Sequence, residues 1–479
     1  MTRREIENRV RGLVWPSPPA DLRERVLAAA AFRTAEAAAA SVHPHPIPMN
    51  EPRVGRRPVW RTAPVLFVVA ALIAIGACTG LDLWAERELD VELARLQAKY
   101  GSLDEATSKV PPVPDADNRA RVVRAAAEFV VPRPDQRYHS LGFPVPSPVP
   151  VELHAFANAN RDAIRLLAGI RTRHLSNWQV DYQTGNHPPW EALRVLSGAI
   201  VVTSLLDIEA GRADEAASVI VSGLGVSASF RQEPDTVAQM NRLYNYVPVQ
   251  LEVLRRLVST STPSATALKE LAWWLAENRT PDPVRLSLLA EMKRANIIFM
   301  RMEKGEIAPD IAQHIYPATW PDWPSAFLGP AAQIGRPFVR TARLRYLRHM
   351  DRLLDVQAAP RPRPATPTEP TLQRWALIDR LVDRFTAGTW YRSDVGDNFA
   401  SGLGAAELAV ALRRYKLDRF DYPDDLSALV PNYLDHLPID PYTGRPPVYR
   451  RQGSGFTLQA RGSSPDMKDD RALEWDVKR

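Results

Sequence analysis

One run of residues limits what this chain can become. Residues 63–81 read APVLFVVAALIAIGACTGL, with no charged side chain and Thr79 as the one plainly polar residue. About 20 apolar residues carry an α-helix across the hydrocarbon core of a bilayer, and this run meets that length. The other reading is a buried helix of a soluble core. No other segment is as long and uncharged, however: residues 200–206 are a short stretch inside a helix bracketed by charge. Pro64 falls in the first turn, where a missing N–H is tolerated. Asp82 ends the run, and Trp84 stands just beyond it, where interfacial aromatics sit.

The flanks predict orientation. Arg53, Arg56, Arg57 and Arg61 precede the run, with Glu51 against them; Asp82, Glu86, Glu88, Asp90 and Glu92 follow it, relieved by Arg87. Arg and Lys close to a span stay on the cytoplasmic side. Residues 1–62 are therefore expected in the cytoplasm and residues 82–479 outside it. Ile75-Gly76-Ala77-Cys78 also resembles a bacterial lipoprotein cleavage box. With a start at Met49, residues 49–77 read as a signal peptide, although residues 1–48 look like coding sequence. Whether Cys78 is lipidated stays open.

Composition narrows the rest. The 479 residues are ample for two or three domains, and 43 prolines predict long linkers. A single cysteine excludes an intramolecular disulfide, so the part beyond the run must hold together by core packing. The net charge of +6 is a small excess for this length. Basic and acidic residues alternate at helical spacing, without the basic stripe and interleaved aromatics of a nucleic-acid surface. The local excess before residue 63 is explained by topology and anionic lipid.

Taken in order, residues 1–62 form a head with two short helices and a Pro-rich linker, and 63–84 form the transmembrane helix. Residues 83–100 continue as a charged amphipathic stalk. Asp117 or Asn118 can cap a helix running to about residue 130. Residues 85–356 read as one helical domain, with apolar residues recurring at three and four, as in Ile164, Leu167 and Ile170 or Leu251, Leu254 and Leu257. Candidate helices are 151–172, 189–210, 213–230, 234–259, 264–278 and 281–304. Gly211-Arg212 joins two of these as a tight αα-hairpin, and residues 211–216 resemble a tetratricopeptide-like turn, without a clear repeat period. Trp320 and Trp323 lie in a Pro-rich loop. Residues 357–370 (QAAPRPRPATPTEP) are a linker, and 371–479 form a separate module with helices at 371–388 and 400–417. The expected fold is mainly α, of helical hairpins or a bundle, with a single transmembrane helix and a small C-terminal α+β module.

Three stretches, LRERVLAAA (22–30), DNRARVVRAAAEF (117–129) and FRQEPDTVAQMNRLYNYVPVQLEVLRRL (230–257), resemble a group of bacterial single-span membrane proteins. That likeness implies a bacterial cytoplasmic (inner) membrane location and a long helical extracytoplasmic region, and it brings no catalytic motif. Residues 406–477 carry a second pattern: a helix ending near Tyr415, Tyr422-Pro423, Leu426, Leu429, Val430-Pro431, Tyr433-Leu434, Pro438, Asp440-Pro441, Gly444, Tyr449, the strand Gly455-Phe456-Thr457-Leu458 and an acidic tail. This resembles the globular part of a type II secretion major pseudopilin. Alternation in 448–450 and 456–459, with Gly453 and Gly455 near the turn, fits a hairpin beside a helix. The resemblance implies that Asp466, Asp469, Asp470 and Asp476 bind calcium, which takes about six to eight oxygens. Two departures oppose it: Arg471-Ala472 stand where the family has Gly, and Ala460 replaces the usual Ser. The other reading is an acidic tail paired with Arg451, Arg461 and Arg471. The pilin processing motif is missing before Ala63, so cleavage and polymerisation as a pilin are not expected.

No enzyme motif emerges. The histidines are scattered without H-E-x-x-H spacing, and no G-x-S-x-G elbow, phosphate loop or dinucleotide fingerprint occurs. No catalytic residue, cofactor beyond calcium, nucleic-acid partner or small-molecule substrate is assigned. The leading expectation is a membrane-anchored extracytoplasmic binding or scaffold protein, with protein partners in a secretion or pilus-like assembly. Transmembrane signalling through the cytoplasmic head, and a cell-envelope hydrolase, are the alternatives.

Overall fold

The computed structural model describes residues 63–103, 110–132, 146–180, 186–279, 282–306, 332–359, 393–460 and 473–477. The expected head helices, the Trp320–Trp323 loop, residues 360–370 of the linker and the helix at 371–388 lie outside them. The chain divides into two compact units at Ala71 and Leu72. Of the first, only the opening of one helix is described.

That helix, α1, runs unbroken through Ala63–Tyr100. Its apolar part is long enough to cross a membrane, and only 6 % of that window is buried. Beyond Asp82 its character changes. Ala85, Leu89, Glu92 and Leu96 recur at four, three and four and are buried, and the residues between them carry charge.

The second unit is a helical body. Asn118 caps α2 (Arg119–Glu128), accepting from the Ala120 N–H at 3.0 Å. The expected helix 151–172 is broken into α3 (Val151–Ala159), α4 (Arg161–Leu166) and a tight final turn, Leu167–Thr172. The break has a cause: the Asn160 side chain is wholly buried and bonds across to the Val131 main chain and back to the Phe156 carbonyl. Helices α5 (Trp190–Glu209) and α6 (Ala213–Ala228) form the predicted hairpin, with Gly211 at φ +72° supplying the left-handed turn. The next helix is not regular as expected. After α7 (Thr236–Met240), residues Asn241–Tyr246 widen into a π-turn before α8 (Val247–Thr260). Pro248, which has no N–H to donate back, stands just past it. Ser264 and Asp282 cap α9 (Ala265–Glu277) and α10 (Pro283–Lys304).

Helix α11 (Ala332–Ala358) is not among the segments that apolar spacing singled out, because Gly335 and Pro337 disguise its start. It runs antiparallel to α10: Arg343 bonds Asn296 at 2.9 Å and Glu303 at 3.0 Å, and Tyr346 lies against Phe299. Helix α12 (Ser393–Arg419) starts earlier than expected and packs against α8 and α9. A three-stranded antiparallel sheet follows, β1 (Val448–Gln452), β2 (Gly455–Ala460) and β3 (Leu473–Val477), in the order β1-β2-β3. Gln452 pairs with Gly455, so Gly453-Ser454 make a two-residue turn with Gly453 at φ +56°. Strands β2 and β3 lie on α12, and β3 also reaches α8. The elements before and after 360–392 therefore share one buried core.

Candidate functional site

The residues singled out as calcium ligands do not form a described cluster. Asp476 lies in β3 opposite Thr457, between the buried Trp475 and Val477. Asp466, Asp469 and Asp470 fall outside the described residues. The acidic tail thus ends in a strand, its Trp475 and Val477 filling the core on alternate positions. Among the described residues no group of three or more His, Cys, Asp or Glu could hold a metal ion. Cys78 lies in α1 and is partly covered.

Two other constellations stand out. The first is the seam between α1 and α11. Asp82 pairs with Arg336 at 2.5 Å and Arg340 at 3.1 Å, Glu86 with Arg340, and Glu88 and Glu92 with Arg348. The signs then reverse: Arg95 and Lys99 bind Asp351, and Lys99 also binds Asp355. Residue numbers rise together on both helices, so they run parallel. The sign thus changes along the seam: acids of α1 meet bases of α11 up to Glu92, and bases of α1 meet acids of α11 beyond it. Asp351 is the hub, accepting from Arg95, Lys99 and Tyr100 at 2.6–2.8 Å. Burial disfavours its charge, but the bonds from Lys99, Arg95 and Tyr100 outweigh that and hold its carboxyl below the ordinary range. Burial pushes the Tyr100 hydroxyl up to about 12, with its bond to Asp351 adding to the shift.

The second is a buried polar cluster around the turn 229–235. Glu233, only 3 % exposed, accepts the Trp178 N–H at 2.7 Å. Gln239 donates to the Phe230 and Glu233 carbonyls at 2.8 and 2.6 Å. Asp235 caps α7, and Arg294 reaches both Asp235 and Glu291. Trp178 stacks on Phe230 at 4.7 Å, and Phe230 meets Tyr246 at 5.8 Å. Arg242 is fully buried: it donates to the Asn278 carbonyl and lies 5.0 Å from the Phe399 ring of α12. Burial lowers its guanidinium to about 9, with Arg231 nearby adding to the effect. Burial raises the Glu233 carboxyl to about 7; the Trp178 N–H opposes this and Asp235 reinforces it. A carboxyl poised near neutrality is the raw material of acid–base chemistry. Here its bond goes to the main chain, and the cluster ties the 229–235 turn to α9 through Arg231 and Glu277 and to α10 through Asp235 and Arg294.

Reading for apolar periodicity passes over these residues. Gln239, Arg242, Tyr246 and Gln250 recur at three, four and four, the spacing of an inward face, and all four are buried. The available signal was polar chemistry at core spacing, within residues 230–257.

No protein-family model matches the chain, and neither a curated protein nor a solved structure matches it.

Proposed function

We propose that the chain is a single-span membrane protein that presents a rigid helical scaffold, outside the cytoplasm, to protein partners. The observation that carries this reading is the two-part character of α1. Its apolar stretch is open to the surroundings, with Phe67 77 % exposed, whereas the same helix from Asp82 onward is riveted to α11 by ion pairs. An uncovered apolar helix is stable only where something other than water covers it. Unbroken continuation into a packed helix makes it an anchor for the body beyond. The charges flanking the run support a cytoplasmic N-terminus. The likeness of residues 406–477 to a pseudopilin head supports a partner in a secretion or pilus-like assembly.

The test uses the single cysteine. In a Cys78→Ser background, Ser454→Cys is expected to react with a membrane-impermeant maleimide in intact spheroplasts. Ser17→Cys should react only after lysis, and alkaline carbonate should leave the chain in the membrane. Reversed labelling, or release by carbonate, would overturn the reading.

A further inference from the structure

Helix α1 has two sides. One carries Ala85, Leu89, Glu92 and Leu96 and faces α11. The opposite side carries Ile73, Gly76, Gly80, Trp84, Arg87 and Val91, spaced at three or four so that they line one face of the helix. All six are exposed, Val91 at 65 %. Lipid does not account for that exposure throughout, because Val91 lies ten residues past Leu81, about 15 Å along the helix.

Two observations say what covers this face. The first is charge. Among the described residues Arg87 and Asp90 have no ion-pair partner, although nearly every other charge on this part of α1 does. Two copies anchored by the same span must lie parallel and level. In a parallel helix pair closed along this face, Arg87 falls beside Glu88 of the second copy, and Asp90 faces Arg95 of the second copy, five residues on. Both contacts are attractive and each occurs twice. The two Arg87 stems approach each other, but their length lets the charged heads turn outward to those carboxylates. The second observation is Gly76 and Gly80. A Cβ added at either position would meet nothing within 4 Å, so among the described residues no contact requires glycine there. Two glycines four apart on an apolar helix let a second backbone approach closely.

We propose that the protein is a parallel homodimer whose copies meet along this face of α1, closest at Gly76 and Gly80. The proposal rests on the single-span reading, and its test separates the two. In membranes that retain the chain through carbonate, a Cys78→Ser protein carrying Val91→Cys should form a disulfide-linked homodimer on mild oxidation. Glu86→Cys, off the face, should cross-link about tenfold less, and Gly80→Leu should lower the Val91→Cys product about tenfold. Asp90→Arg alters an exposed side chain with no ion-pair partner among the described residues; it should lower cross-linking without unfolding the protein. A Val91→Cys chain that stays monomeric in the membrane would overturn the dimer alone. So would equal yields at 86 and 91, or an adduct with a different polypeptide. Release by carbonate would overturn the anchor and the dimer with it.

Discussion

Glu233 shows how a single buried side chain sets a pH dependence. An unfolded Glu ionises near pH ~4.3, whereas the folded one is raised to about 7 by burial, against the Trp178 N–H. Between those values the folded chain holds a proton that the unfolded chain has lost, so stability falls as pH rises from about 4.5 to about 7 and is level above. The shift corresponds to about 4 kcal/mol. Glu233→Gln keeps an oxygen for the Trp178 N–H and removes the titration. Thermal melts of the detergent-solubilised protein should show the variant with a flatter profile and a higher midpoint at pH 8. Parallel profiles would sink the assignment. Nothing in the letters of residues 230–235 announces this, since a lone Glu beside Pro234 reads as loop, and only the burial imposed by Trp178 and α7 makes it a proton-holding group.

At the scale of elements, the α1–α11 seam rests on Asp351. Its carboxyl is held below the ordinary range, so its contribution is full above the ordinary carboxylate pKa and is lost as pH falls through the lowered value. Asp351→Asn keeps the shape, drops the charge and leaves Arg95 and Lys99 facing a neutral amide. The expected cost is about 2 kcal/mol, with faster hydrogen exchange across residues 82–100. Asp355, more than half exposed, is the control, and Asp355→Asn should cost well under about 1 kcal/mol. Equal effects would show that the hub is not special. The charge of residues 82–100 was plain in the sequence as a stalk; its partner was not, because α11 lies more than two hundred residues away behind Gly335 and Pro337.

At the scale of the molecule, the question is whether the C-terminal module stands apart. Helix α12 packs on α8 and α9. Arg279 is bound to Glu407, Arg413 donates to the Ser261 carbonyl, and Phe399 lies over Arg242. Gly404 sits close under Pro438, where an added Cβ would stand at 3.0 Å, so the loop before the sheet is also seated on this helix. A chain ending at Ala359 would uncover the sides of α8 and α9 that α12 protects. It should aggregate or lose its cooperative melt, and Leu408→Ala in the full chain should cost about 2–5 kcal/mol in one transition. A well-folded, soluble 82–359 fragment would show instead that the module is independent.

The sequence by itself determined the apolar run, the hairpin at Gly211, a cap at Asp117 or Asn118, and the β1–β2 turn. Each depends on residues within a few positions of one another, where helical period, capping chemistry and the freedom of glycine act locally. The tertiary structure alone decided that Asn160 splits a helix, that residues 473–477 form a strand, that Asp82 to Lys99 find their counter-charges on α11, and that α12 belongs to the common core. Those outcomes depend on partners far apart in the chain. The free energy of burying a charge or pairing an edge comes from what is brought beside it, which local spacing does not encode.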